Sequence, residues 1–373
     1  MRVALELQPC CWARAGIGSY TYELARRLRD TEDLTFWGNL FNFLGRNDNT
    51  AALSDITMPV RENRLFPYGI YRRIWDIAPI SYSGLFPGKT DLTIFFNFIV
   101  PPRVSGHVMT VVHDMTHLRC PETMAAKNLR RIKKNIQYSV ERSSRILTIS
   151  AFSKAEITEL LGVPAERISV VYPAPSLQPG TADFGVCCQK WGIHRPYLLY
   201  VGTIEPRKNL ARLLRAFALL KEKYHIPHQL VLAGGRGWRD EEIFQTVKEI
   251  SCKEDVIFTD YVSAGEKNTL YENASAFLFP SLYEGFGIPP LEAMTFGCPV
   301  VCANAASLPE VAGDAAELVD PLEEESIAEG IWRVLSDAAY AQELREKGYL
   351  QAKKYTWEAS AKRLTELCRE IGR

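Results

Sequence analysis

Apolar residues fall in short blocks along this 373-residue chain, and blocks of two kinds alternate. Residues 2–7 (RVALEL) read as a buried strand and residues 10–18 as a glycine-containing loop. Residues 19–29 then read as a helix with Tyr22, Leu24, Ala25 and Leu28 on its apolar side. Residues 91–96, 107–112 and 145–149 are further strands, each short, apolar and followed by a polar turn or a helical pattern. Residues 39–105 otherwise carry aromatic and Pro/Gly-rich patches without a sustained period, and the pattern predicts no other firm element there. Between residues 171 and 196, Pro173, Pro175, Pro179, Gly180, Gly185 and Pro196 interrupt the periodicity, as a linker would. Beyond it, strands at 197–201, 229–233, 256–259, 276–279 and 300–302 alternate with helices at 209–223, 241–250, 264–273 and 290–296, and more helices start near Ser326 and Trp357. This alternation predicts an α/β fold with two mostly parallel sheets. Two such domains in tandem create a cleft, where a ligand is expected near the carboxyl ends of the strands.

Composition narrows the function classes. Apolar residues make up 47% and charged residues 24%, values typical of globular chains, which excludes a fibrous or low-complexity protein. The 44 Lys and Arg equal the 44 Asp and Glu, so no nucleic-acid partner is expected. Residues 1–180 hold 22 basic and 16 acidic side chains, and the remainder carries the opposite excess. Such a split suits two lobes facing an anionic ligand or a membrane surface, and ordinary sampling also produces it. The nine cysteines include no C-x-x-C, so they indicate neither a disulfide framework nor a zinc site. Buried thiols in a reducing cytoplasm are expected instead. No apolar run is long enough to span a membrane. Residues 127–145 carry seven basic side chains and one acid, with Leu129, Ile132, Ile136 and Val140 at helical spacing. One face of that helix is therefore basic, either simply solvated or lying against an anionic membrane.

The stretch 279–301, FPSLYEGFGIPPLEAMTFGCPVV, carries the most chemistry. A strand delivers a loop containing Glu284, Gly285, Phe286 and Gly287, and the prolines Pro289 and Pro290 suit entry into a helix whose first turn holds Glu292. A helix start offers backbone N–H groups to a phosphate, and glycines let backbone approach a ligand closely. Carboxylates accept paired hydrogen bonds from vicinal hydroxyls, so the arrangement suits a sugar joined through phosphate. Two glutamates near a capped helix also occur without any ligand. Arg207 and Lys208, after the strand 197–201, are a cation pair able to hold a diphosphate. Gly16 and Gly18 follow the first strand, but G-I-G-S-Y-T lacks the third glycine of a dinucleotide fingerprint. His113 and His117 stand at i, i+4 in HDMTH without the glutamate of a zinc motif or an identifiable third ligand, so no metal is expected.

Together these segments resemble the retaining family 4 glycosyltransferases of GT-B fold, whose E-x7-E motif is matched by Glu284 and Glu292. The likeness extends to YVGTIEPRKNL (200–210), LVLAGGRGW (230–238), SLPEVAGDAAELVDP (307–321), GIGSY (16–20), VVHD (111–114) and TISAFSK (148–154), with residues 39–105 outside it. It implies two Rossmann-like domains, residues 1–178 on the acceptor side and residues 190–355 binding the nucleotide sugar, with residues 356–373 as a helix crossing back to the first. It implies Arg207, Lys208, Glu284 and His113 as the catalytic set, and Gly16, Gly18, Phe286, Gly287, Ile288, Leu291 and Glu292 as the donor-binding set. Within these, Glu292 would take the ribose, Glu284 with the Phe286 and Gly287 amides the sugar, and Arg207 with Lys208 the diphosphate. The expected reaction is metal-independent transfer of a hexose, mannose before glucose, from GDP-mannose or UDP-glucose to a glycan or lipid-linked glycan. A cytoplasmic enzyme, peripheral at the inner face of the plasma membrane if residues 127–145 bind lipid, would fit. Rival readings are a nucleotide-sugar epimerase on the same architecture and a non-enzymatic membrane-surface binding protein.

Overall fold

The computed structural model describes residues 1–11, 16–45, 53–75, 77–176, 180 and 182–372. The chain divides into two compact units: residues 1–117, 126–173 and 356 onward form one, and residues 118–125 and 174–355 the other. The sequence boundary at residue 178, like Pro179 of the expected linker, lies outside the described residues.

The first unit is built on a seven-stranded sheet of β1 (Arg2–Glu6), β2 (Thr35–Phe41), β3 (Val60–Asn63), β4 (Leu92–Phe95), β5 (His107–Val111), β6 (Arg145–Thr148) and β7 (Ile168–Val170). Its order is β3-β2-β1-β4-β5-β6-β7, and every pairing is parallel. The second unit holds β8 (Tyr197–Val201), β9 (Gln229–Ala233), β10 (Val256–Asp260), β11 (Ala276–Phe279), β12 (Val300–Ala303) and β13 (Ala316–Val319). They run in the order β10-β9-β8-β11-β12-β13, again all parallel. The order reverses between β1 and β4 in the first sheet and between β8 and β11 in the second. Crevices at such reversals are where ligands of open α/β sheets bind.

The sequence reading lacks β3, β7, β13 and the helices Tyr68–Ile74 and Ala151–Leu161, and it departs from the structure at three further places. The strand β2 is hidden in TFWGNLF because Gly38 and Asn39 break the apolar run. Gly38 leaves room there for Leu7, whose Cδ1 would lie 2.2 Å from a Cβ and would have to move. The expected linker contains a helix, Phe184–Trp191, started by the Asp183 carboxylate accepting the Val186 N–H at 2.8 Å and ended by Gly192 in the left-handed region. The first loop is shorter than expected, because a 3-10 turn covers Gln8–Cys11 and a helix already begins at Ile17, while residues 12–15 lie outside the described residues. Gly18 is therefore a helical residue rather than a loop glycine.

The last helix, Trp357–Ile371, belongs to the first unit. Thr356 caps it by accepting the Ala359 N–H, the Trp357 ring meets Tyr20 edge-on at 5.8 Å, and Ser360 Oγ donates to Tyr172 O at 2.5 Å. Among the described residues no helix is long and apolar enough to cross a membrane.

Candidate active site

Glycines bring the loops after β8 and β9 into direct backbone contact. Gly234 has φ +147°, and a Cβ there would lie 2.0 Å from the Gly202 carbonyl oxygen, so no side chain fits. The Ile204 N–H donates to Gly235 O at 3.0 Å and the Gly237 N–H returns to Ile204 O at 2.9 Å. This lock fixes the course of the chain into Glu205, Pro206, Arg207 and Lys208.

Pro206–Lys208 form a single 3-10 turn, and Asn209 in the left-handed region (φ 61°) separates it from the helix Leu210–Tyr224. Arg207 and Lys208 thus stand just before that helix, on their own turn. Buried Asn209 donates through Nδ2 to Pro280 O at 3.1 Å and Pro321 O at 2.6 Å, which ties the turn to the chain leaving β11 and β13. The Leu282 N–H closes the same junction on Arg207 O at 3.0 Å.

The junction brings Arg207, Lys208 and Glu284 together. Lys208 Nζ lies 2.5 Å from Glu284 Oε1, and Arg207 Nη1 lies 2.8 Å from Oε2. The guanidinium also donates to Tyr283 O at 2.6 Å and, through Nη2, to Glu205 Oε1 at 2.9 Å. Its fork is thus held at both ends, with Glu205 itself buried. Lys208 Nζ sits 5.3 Å from the centre of the Phe279 ring. Burial alone would raise the Glu284 carboxyl, but the charges of Arg207 and Lys208 and their hydrogen bonds outweigh it and hold the group at about 2. Lys208 moves down from its ordinary value, because burial costs its ammonium more than the Glu284 charge returns.

The loop carrying Glu284 is pinned from behind. Ser307 Oγ, fully buried, lies 2.9 Å from Glu284 O and 2.8 Å from Phe286 O, so its single hydrogen serves one carbonyl or is shared between them. Gly287 (φ +109°) precedes the helix Ile288–Thr295, and a Cβ there would meet Leu308 Cδ2 at 2.6 Å. Because the helix begins at Ile288, Glu292 stands one turn inside it and not in its first turn. Pro289 and Pro290 have no N–H, so Ile288 and Leu291 are the donors of that first turn. The Glu292 carboxylate accepts from Lys267 Nζ at 2.7 Å and from the Tyr271 hydroxyl at 3.2 Å. Burial first, and then the Glu292 charge, push the Tyr271 hydroxyl well above its usual value, so it remains a donor.

Gly16, Gly18 and His113 belong to the first unit. Gly16 (φ 52°) turns the chain into the helix Ile17–Ala25. His113, buried after β5, places Nε2 at 2.7 Å from Phe96 O, and since a carbonyl only accepts, Nε2 carries the hydrogen. Burial lowers its pKa, so the ring is neutral at pH 7 and Nδ1 keeps its lone pair. Tyr20 packs against it edge-on at 5.4 Å. Among the described residues no group of three or more His, Cys, Asp or Glu side chains could hold a metal ion.

Residues 189–351 match the family model of the glycosyl transferases group 1. The chain is 33% identical over 374 residues to O-antigen chain mannosyltransferase B of Escherichia coli, covering 96% of this chain and 97% of that one. The chain belongs to the group 1 glycosyltransferases. This glycosyltransferase is also 31% identical over 225 residues to O-antigen chain mannosyltransferase RfbU of Salmonella typhimurium, covering 60% of each. Its fold is that of GT-B enzymes. Anabaena HepE in complex with UDP and glucose superposes with a TM-score of 0.74 over 99% of this chain and all of that one at 17% identity. WaaG, a glycosyltransferase of lipopolysaccharide biosynthesis, gives 0.65 over 98% and 99% at 15% identity.

Sequence reasoning missed Glu205, Asn209, Lys267, Tyr271 and Ser307. Glu205 and Asn209 flank the cation pair in IEPRKNL and were open to notice. Lys267, Tyr271 and Ser307 lie 25, 21 and 23 residues from the groups they hold, and no local pattern marks them.

Proposed function

We propose that this glycosyltransferase moves mannose from GDP-mannose to a glycan acceptor, lipid-linked in the cell, with retention of anomeric configuration. The observation that carries the reading is the convergence of Arg207, Lys208 and Glu284 at the reversal between β8 and β11, with Glu284 on the loop that leads into the helix bearing Glu292. Mannose as the sugar rests on the names of the similar O-antigen enzymes, and retention on the family resemblance of the E-x7-E segment. A diphosphate arriving at Arg207 and Lys208 takes hydrogen bonds that Glu284 now accepts, and the freed carboxylate then receives sugar hydroxyls. Glu292, kept in place by Lys267 and Tyr271, takes the ribose hydroxyls. The bond between the sugar C1 and the phosphate oxygen breaks, its electrons stay on the diphosphate, and the acceptor oxygen bonds to C1 while its proton passes to the departing phosphate. Cations aimed at the leaving group supply most of the rate, and no divalent ion is required. Turnover of GDP-mannose is expected to survive exhaustive chelation. Activity lost on chelation and restored by magnesium or manganese would contradict this part of the mechanism. An epimerase is not favoured, since the relative matching nearly the whole chain is named as a transferase.

The two glutamates divide the donor between them. Glu292→Ala should weaken binding of free GDP and of GDP-mannose alike, whereas Glu284→Ala, which removes the carboxylate that the diphosphate displaces, should leave GDP affinity undiminished and damage turnover. Calorimetric titrations of both variants with both ligands test the division, and equal losses of GDP affinity would reject it.

On the helix Ala126–Arg142, the exposed Lys127, Arg130, Lys133 and Lys134 give a cationic face that fits an anionic lipid surface. Sedimentation with vesicles containing phosphatidylglycerol should fall on Lys133→Glu with Lys134→Glu. Binding unchanged by both substitutions would remove lipid from the reading.

A further inference from the structure

The reversal in the first sheet, between β1 and β4, holds a second group of polar side chains. β1 ends on Glu6, whose side chain is buried at 5% exposure and whose Oε1 has no hydrogen-bond partner among the described residues. The Tyr71 hydroxyl, on a fully buried side chain, also has none among them. Both line a narrow cavity with Tyr68, Trp75, Tyr82 and Asn97, with room of about 10 Å³ for the centre of a single water-sized group. Tyr68 and Asn97 are its partly exposed members and Tyr71, Trp75 and Tyr82 its buried ones. Among the described residues, Arg131 and Arg72 are close enough to act on Glu6.

The Glu6 carboxyl takes a backbone hydrogen bond from Gln8, which leaves Oε1 unmatched, and a buried oxygen left so in an aromatic core is costly. A group that completes its hydrogen bonds is what such a slot lacks. One hydroxyl fits the size and accepts and donates as Glu6 and Tyr71 require, while the aromatic walls suit the apolar faces of a sugar ring. The slot lies mostly in the segment 39–105, outside the family resemblance, where residues that distinguish one acceptor from another belong.

We propose that this slot binds one hydroxyl of a sugar residue in the acceptor glycan, with Glu6 and Tyr71 as its hydrogen-bond partners. The inference rests on the transferase reading above for the word acceptor, but the site itself can be tested without turnover. Methyl glycosides and α-linked di- and trisaccharides of mannose, glucose, galactose and N-acetylglucosamine are titrated against the whole protein. Binding is followed by NMR at the Trp75 indole N–H, and GDP affinity is measured in parallel. At least one saccharide should bind and move the Trp75 resonance. Glu6→Gln should weaken it roughly 10-fold and Tyr71→Phe several-fold, with GDP affinity unchanged. No binding by any saccharide, or binding that neither substitution alters, would overturn the proposal. Saccharide binding through Glu6 in a protein that takes no nucleotide would support the slot and overturn the transferase reading. Folding is not expected to confound the result. Burial pushes the Glu6 carboxyl up to about 8, so ionising it costs the wild type stability as pH rises from about 4.5 to 8. Glu6→Gln should therefore unfold at least as late as wild type above pH 8, and Tyr71→Phe provides a second, isosteric probe.

Discussion

Lys208→Ala is expected to lower turnover of GDP-mannose by about 10² to 10³ while raising the donor dissociation constant much less. Negative charge grows on the diphosphate as the glycosidic bond breaks, so a cation fixed beside it stabilises the transition state more than the bound donor. Lys208 is held for this role: its ammonium is mostly buried, 2.5 Å from Glu284 and against the Phe279 ring, and needs little rearrangement to reach an arriving phosphate. Arg207→Ala should act in the same direction. The two losses should not add, because both cations serve one group and share Glu284 as their resting partner. Steady-state kinetics at saturating acceptor, beside direct donor binding, separate the effects. A variant of Lys208 that binds donor weakly but turns over normally would make it a ground-state anchor.

Glu284→Ala is expected to destabilise the fold by about 3 to 5 kcal/mol at pH 7, since it leaves two mostly buried cations facing each other without their shared anion. The effect has a defined pH window. The Glu284 carboxyl is held at about 2 in the folded protein against an ordinary value of 4.5, so its stabilising contribution is complete above about pH 4.5 and is lost as pH falls through about 2. The lowered Lys208 offsets part of this gain, because burying the ammonium costs stability. Urea unfolding of wild type and variant should show a difference that is largest at pH 7 and smaller at pH 3. A difference independent of pH would mean that lost packing, not charge pairing, accounts for it.

The chemistry of the second unit was more legible than the support that holds it. Arg207, Lys208 and Glu284 stand in loops that follow apolar strands, and Glu292 lies in the helix the second of those loops leads into, so the alternation of strand and helix already puts them at one edge of a sheet. What aligns them was not legible. Asn209 reaches Pro321 across 112 residues and Ser307 reaches Glu284 across 23, and such contacts leave no period in a sequence. The segment 39–105 was opaque for a related reason. β3 and β4 are only four residues each, the apolar pattern of β2 is broken at Gly38 just before the segment, and the segment's order comes from an aromatic cluster in which Phe41 stacks on Tyr71 at 5.0 Å and Tyr82 meets Phe95 at 5.1 Å. Rings that pack in all directions give neither a helical nor a strand period. The helix Phe184–Trp191 was masked by neighbouring prolines although Asp183 and Gly192 supplied ordinary start and stop signals.

The exchange of Glu284 for a diphosphate at Arg207 and Lys208 is tested most directly by a crystal structure with GDP bound. The expected result has diphosphate oxygens within hydrogen-bond distance of Lys208 Nζ and the Arg207 guanidinium, and the ribose hydroxyls on Glu292. GDP bound elsewhere, or bound with both cations still paired to Glu284 and no contact to the diphosphate, would contradict the donor site and the mechanism built on it.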